Sequence, residues 1–435
     1  MKRNVYLLSS IAFIVNLGFG MAMPLLPFIL LFFDGLLKDL PENLGKIPDT
    51  SAIALQTTIL TAAFMITRAM LARYFGNLSD SYGRKKIIGI GLSLYTLLSF
   101  LYTFTTNWVE FLAIRAIQGV ASAMVWPVAE AMVNDSVPWQ ERGKYMGWYM
   151  TFSNVSFFLG PSLGAFVYKF AAFYLGFSLI GSLMFPFYIL TILAMSGLIL
   201  SLFTIETISY DTKKKIKNEG DDLRKQIEIP PEVATSMEII YIMGFANGIA
   251  MGLVAPITML YVIEYITADP SAIGLLSTVS GFAGFVVNVP SGYLSDRISR
   301  KKLVVSGQVT ARTLTFIFPF VRDFNEVLAL YSVRSIAFNM MSPAYRALQA
   351  DLVPKEVRGK VFGTVQSLFN FGAALSPIGG YFYQIASKWQ INLFGLIVPG
   401  VALSFWLSAL IGIFTTILFI LYIKEPTKEL KEKIS

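Results

Sequence analysis

The chain is written as long apolar runs separated by short polar loops. Twelve runs can be marked: Val5 to Phe33, Ala52 to Arg73, Ile87 to Thr105, Trp108 to Val133, Tyr145 to Phe170, Leu175 to Ile205, Met237 to Ile266, Ala272 to Tyr293, Leu303 to Val321, Asn325 to Gln349, Val361 to Ile385 and Leu393 to Ile423. Each is close to or above the roughly 20 residues that carry a helix across a bilayer, and the longer ones are expected to tilt or to reach into solvent. Between the sixth and seventh runs lies Glu206 to Ser236, a charged stretch with a lysine run and the pair Pro230-Pro231. The pattern therefore predicts an all-α integral membrane protein of twelve helices in two six-helix bundles, residues 1–205 and 237–435, joined by a cytoplasmic linker, 206–236.

The two halves repeat each other. Gly76 to Lys86 reads GNLSDSYGRKK and Gly292 to Lys302 reads GYLSDRISRKK, so that Gly76, Leu78, Ser79, Asp80, Arg84, Lys85 and Lys86 recur 216 positions later. The same offset relates Glu110 to Glu326, Pro127 to Pro343, Asp135 to Asp351, Pro138 to Pro354, Arg142 to Arg358, Gly143 to Gly359, Asn154 to Asn370 and Pro161 to Pro377. Matches at so many polar and proline positions do not follow from shared hydrophobicity, and they make the bundles pseudo-symmetric.

Composition agrees with this reading. Apolar residues make up 55% of the chain and charged residues only 14%, which places it among membrane proteins. It has neither cysteine nor histidine. A disulfide framework and zinc held by thiolate or imidazole are thereby excluded, no cofactor or metal is expected, and any proton coupling must use a carboxylate. The net charge of +8 is not a nucleic-acid signal, because the Lys and Arg residues gather in alternate loops: Arg84 to Lys86, Arg142 to Lys144, Lys213 to Lys225, Arg297 to Lys302, Lys355 to Lys360 and Lys424 to Lys433, with Lys2 and Arg3. By the positive-inside rule that side is cytoplasmic and both termini lie there. The first run is too long for a signal-peptide core and is expected to be retained. Short outer loops point to a prokaryotic cell membrane.

The repeated loop resembles motif A of the major facilitator superfamily of secondary transporters, a G-x-L-x-D-x-x-G-R-K sequence between the second and third membrane helices. The second copy has Ser299 where the first has Gly83. The resemblance implies the major facilitator fold, with parallel six-helix halves and a substrate site near the midplane. It further implies that Asp80 faces the helix start near Gly359 and Asp296 the one near Gly143, where helix N-termini attract carboxylates. Arg84 would pair with Asp135, and Arg300 with Asp351. Such contacts would latch the cytoplasmic side and favour an outward-open state.

Three further stretches resemble motifs of twelve-helix drug:proton antiporters. The first helix has Leu17-Gly18, then Pro24 and Pro27, whose prolines bend a helix. The fourth has Arg115, Gln118 and Gly119, an R-x-x-Q-G sequence in which the resemblance links the arginine to proton transfer. Arg115 sits about 10 Å in from Trp108 at 1.5 Å per residue, which leaves snorkelling outward as the plainer role. The fifth has Gly147, Ser156, Gly160, Pro161, Gly164 and Ala165, a small face that lets a neighbouring helix approach closely.

Carboxylates inside apolar segments are the candidate proton carriers, since burial disfavours their charged form. Glu130 is best placed, on the inner part of the fourth helix; its repeat partner is Arg346, and Arg68 is a second partner to consider. Asp34 and Glu264, near outer helix ends, are weaker candidates and equally read as rim residues. Candidate cavity residues are Asn16, Gln118, Trp126, Asn247, Arg334 and Asn339, a mixed amide and aromatic set suited to an amphipathic solute, with Arg346 beside them. The reading is a monomeric transporter in the lipid bilayer that exchanges protons for a small-molecule substrate, exporting amphipathic or drug-like compounds. The alternative is a metabolite carrier for a sugar, organic anion or lipid, working as an importer or facilitator. No clustered nucleophile, acid pair or metal set marks an enzyme.

Overall fold

The computed structural model describes residues 2–138, 141–207, 231–353, 355–393 and 395–423. The chain separates into two compact units. One comprises Met1–Lys215 with Met259–Thr278, the other Ile216–Thr258 with Val279–Ser435. The expected linker 206–236 falls mostly outside the described residues; its helix-forming end begins at Pro231, where a proline with no N–H to satisfy suits a first helical position.

In the first unit the helices are α1 (Lys2–Ala22), α2 (Leu26–Phe33), the short α3 (Pro41–Leu44), α4 (Ser51–Tyr82), α5 (Arg84–Leu101), α6 (Trp108–Asp135), α7 (Arg142–Phe173) and α8 (Leu179–Leu202). A 3-10 turn at Met23–Leu25 separates α1 from α2, because Pro24 and Pro27 remove backbone donors there. Helix α1 packs on α7 and α8, α4 on α6, and α5 on both α6 and α8. In α7, a Cβ at Gly160 would come within 2.6 Å of the Gly20 backbone, and one at Gly164 would run into Met21. The small face therefore holds the fifth membrane helix against the first, while Gly147 faces open space.

Met259–Thr278 groups with this first unit rather than with the rest of 237–435. The Ala268 N–H donates to Gly45 O at 2.8 Å and Ile47 N–H to Ile263 O at 3.2 Å, while Lys169 pairs with Asp269 at 3.1 Å. The stretch Val262–Ile266 is a π-helical turn.

The second unit contains α9 (Pro231–Tyr261), whose last residues from Met259 belong to the first unit, α10 (Pro270–Arg297), whose beginning also does, α11 (Arg300–Ile317), α12 (Phe324–Leu352), α13 (Lys355–Ala373), α14 (Ser376–Ala386) and α15 (Ala402–Tyr422). Its core joins Ile240, Met243, Val304, Ala344, Leu348 and Phe419. Outward faces of both units are apolar, with Phe166, Ile192, Leu410 and Leu421 exposed as lipid-facing side chains are.

Among the described residues ten helices are long and apolar enough to cross a membrane. The tenth and eleventh expected segments are helical without meeting that standard: α12 carries Arg334 and Arg346, and the eleventh is broken between Ala373 and Ser376. The twelfth segment is shorter than expected. Gln390–Leu393 and Leu396–Pro399 form an antiparallel hairpin, and the helix starts only at Ala402.

Candidate functional site

A cavity of about 210 Å³ opens within the first unit, lined by Asn16, Arg68, Trp126, Glu130, Tyr149, Met150, Ser153, Asn154 and Phe157. Four helices supply it: α1, α4, α6 and α7. Asn16 Nδ2 donates to Ser153 Oγ at 2.7 Å, which ties α1 to α7. Trp126 Nε1 donates to the Tyr95 hydroxyl at 3.3 Å, with ring centroids 6.3 Å apart, so the indole is held from behind by α5. The hydroxyl of the buried Tyr149 lies within electrostatic reach of both Glu130 and Arg68. A carboxylate, a guanidinium and three aromatic side chains thus share one small polar space.

Of the expected cavity residues, Asn16 and Trp126 come together here, joined by the proton-carrier candidate Glu130 and its considered partner Arg68. Gln118 does not reach this lining; with Arg115 it forms a separate buried cluster. Arg115 Nη1 donates to Gln118 Oε1 at 3.0 Å, and that oxygen also accepts from the Tyr102 hydroxyl at 3.0 Å. The guanidinium carbon lies 5.4 Å from the Phe19 ring centroid and 4.9 Å from that of Phe64. Arg115 is only 6% exposed, which removes snorkelling from consideration.

In the second unit, Asn247 Oδ1 accepts from Arg312 Nη2 at 2.6 Å and from the Thr415 hydroxyl at 3.2 Å. Arg334 lies over the Tyr331 ring at 4.9 Å and within electrostatic reach of Arg312. Asn339 accepts from Asn288 at 3.2 Å and donates to Ser335 O at 2.9 Å, while Arg346 is exposed. Asp34 and Glu264, the carboxylates expected near the ends of the first and seventh membrane segments, have local partners. Asp34 accepts from Gln56 at 3.1 Å. Glu264 accepts from the Thr50 backbone N–H at 3.0 Å and its hydroxyl at 2.7 Å, satisfying donors at the start of α4.

The repeated loops are built alike but capped differently. Arg84 pairs with Asp135 at 2.7 Å and approaches Asp80 at 3.6 Å, and Arg300 pairs with Asp351 at 2.6 Å. Lys85 Nζ donates to Leu202 O and Lys301 Nζ to Ile420 O, both at 2.7 Å, placing a cation at the end of a helix in each unit. Gly83 has φ +102°, and the N–H groups of Arg84 and Lys85 donate to the Glu206 carboxylate at 3.0 and 3.1 Å. Ser299 instead has φ −49° and its own hydroxyl caps Lys302 N–H. A serine at 299 is thus consistent with the local backbone, which is not left-handed there. Gly76 and Gly292 have open space where a Cβ would point. The Asp296 side chain lies outside the described residues.

Sequence reasoning passed over Tyr149, Ser153 and Phe157. Their spacing of four residues puts them on one face of α7, a signal present in the sequence but hidden among many aromatics. It also missed Arg312, a cation inside an apolar run and as informative by that criterion as Arg115.

Comparison with known proteins places these features in a family. A family model described as Major Facilitator Superfamily matches residues 8–229 and 240–435. The chain is 22% identical over 397 residues to Multidrug resistance protein 2 of Bacillus subtilis (strain 168), covering 91% of this chain and 92% of the relative. It is 24% identical over 416 residues to the Quinolone resistance protein NorA of Staphylococcus aureus (strain COL), covering 93% and 96%. Among solved structures it is similar in fold to a D-xylose-proton symporter, with a TM-score of 0.71 at 15% identity over 97% of this chain and 98% of that one. It is also similar to the human organic anion transporter MFSD10, with a TM-score of 0.63 at 16% identity over 96% and 99%.

Proposed function

This chain belongs to the Major Facilitator Superfamily and is a membrane transporter, not an enzyme, and we propose that it exports amphipathic or drug-like compounds in exchange for protons by alternating access. The observation that carries this reading is the shared cavity of Glu130, Arg68, Trp126, Tyr149 and Phe157. A carboxylate inside a membrane segment is costly when charged and has to be matched by a cation or a proton. Aromatic faces beside it suit a flat, lipophilic cation, through area burial and cation–π attraction. Glu130 then alternates between proton and cationic substrate, with Arg68 neutralising the carboxylate when neither is bound. The printed names of the two bacterial relatives, multidrug and quinolone resistance proteins, favour export.

The motif A loops act in this proposal as latches on the cytoplasmic side. Asp80 and Asp296 are the contacting carboxylates, and the pairs Arg84 with Asp135 and Arg300 with Asp351 hold the loops in shape. The protein works as a monomer in the cell membrane with both termini cytoplasmic. A second reading, a carrier of organic anions, draws on Arg312 and Arg334, two cations within reach of each other in the second unit.

The test is accumulation of a lipophilic cationic dye by proteoliposomes under an imposed pH gradient, in native protein and Glu130→Gln. Gradient-driven accumulation lost in the variant supports antiport at Glu130. Folded native protein that moves no dye under either sign of gradient, yet exchanges an aromatic carboxylate, sinks the drug-export reading in favour of the anion carrier.

A further inference from the structure

The Arg115 cluster has donors without acceptors. Gln118 Oε1 is fully engaged by Arg115 Nη1 and the Tyr102 hydroxyl, which fixes the amide orientation and leaves its Nε2 without a partner. Arg115 Nε is likewise buried and unpartnered. Arg115 is 6% exposed and Gln118 not at all. The two groups that carry these orphan donors are joined to each other by the Arg115 to Gln118 hydrogen bond. Buried donors are almost always satisfied, so this pair calls for an acceptor.

Charge points the same way. Among the described residues Arg115 makes no ion pair; its neighbours include the rings of Phe19 and Phe64, the neutral Gln118 and the hydroxyls of Tyr102 and Tyr95, none of them a carboxylate. A full positive charge at membrane depth without a carboxylate needs a compensating anion more than a neutral water. Enclosure by aromatic side chains limits the occupant to something small. We propose that Arg115 and Gln118 bind a single monovalent anion of halide size within the first unit. The anion would accept from Arg115 Nε and Gln118 Nε2, and its charge would neutralise the arginine. This site is separate from the Glu130 cavity and does not depend on how Glu130 is used.

The test is thermal unfolding of the purified full-length protein, followed by intrinsic tryptophan fluorescence, as chloride replaces gluconate at constant ionic strength. The expected result is a saturable rise of several degrees in apparent Tm, reproduced by bromide. In Gln118→Glu the carboxylate supplies the missing charge in place, so this variant should be as stable in gluconate as the native protein in saturating chloride, and should no longer respond. Should Gln118→Glu fail to fold, binding of radiolabelled chloride to native protein and Arg115→Gln is compared, with loss of saturable binding expected in the variant. A flat native response, or a chloride response retained in Gln118→Glu or Arg115→Gln, would overturn the proposal and leave water as the occupant.

Discussion

Gly83→Ala should destabilise the first unit, whereas Gly292→Ala, at an equally prominent glycine of the repeated loop, should not. Gly83 combines φ +102° with ψ 137°, a region nearly closed to residues with a Cβ, and forcing alanine into it costs about 1–3 kcal/mol. The added Cβ would also lie 2.6 Å from Glu206 Oε2. That carboxylate can move aside, but only by giving up its bonds to the Arg84 and Lys85 N–H groups at 3.0 and 3.1 Å. Glu206 is exposed, so each bond is assigned about 0.5 kcal/mol, at the low end for hydrogen bonds. The sum is about 2–4 kcal/mol. At Gly292 no atom lies within 4 Å of the would-be Cβ, and helical alanine is if anything favoured over glycine. Thermal unfolding monitored by tryptophan fluorescence should show Gly83→Ala falling by about 4 °C or more, with Gly292→Ala unchanged. In a Glu206→Ala background the Gly83→Ala penalty should shrink by about 1 kcal/mol, since the carboxylate bonds are already gone. A Gly83→Ala protein as stable as the native one would refute the reasoning outright.

Asp135→Asn should cost about 1–2 kcal/mol and Asp351→Asn less than about 1 kcal/mol, because the Arg84 side chain is 10% exposed and that of Arg300 26%; denaturant titration of the two variants compares them. Gly160→Val should destabilise by about 3 kcal/mol or more, since its Cβ would meet the backbone of Gly20 rather than a movable side chain. Limited proteolysis compares it with Gly147→Ala, which lies in open space and should be neutral; equal sensitivity of the two would contradict the packing described for α7. Tyr95→Phe should cost about 1 kcal/mol by removing the acceptor of the Trp126 indole, with a change in the emission component that Trp126→Phe abolishes.

Much of the architecture follows from local properties of the chain. Whether a segment enters the bilayer depends on its own length and polarity, so the apolar runs were legible without knowing any contact. The 216-residue repeat likewise extends to the caps: Asn107 accepts from Val109 and Glu110 N–H, and Asp323 from Asn325 and Glu326 N–H, each at a helix start. Where the local rule failed, a competing local preference explains it. Leu393 and its neighbours are apolar enough for a membrane run, but Gly395 at φ +87° turns them back into a hairpin.

What tertiary structure alone decided is which polar side chains meet. Asn16, Arg68, Glu130 and Tyr149 lie on four different helices, and only the rotation of each helix about its own axis turns them into one cavity. Hydropathy carries no information about that rotation, because the lipid-facing and protein-facing sides of such a helix are both apolar. For the same reason the partner of Glu264, an acid at the edge of an apolar run, was not legible until Thr50 was seen donating to it. Arg115 could not be told apart from a snorkelling cation until its burial against Phe19, Phe64 and Gln118 was seen. The sequence by itself determined what crosses the membrane and that it does so twice over; the packed structure decided which charges are left facing one another inside it, since a buried charge is defined by its neighbours and not by its position in the chain.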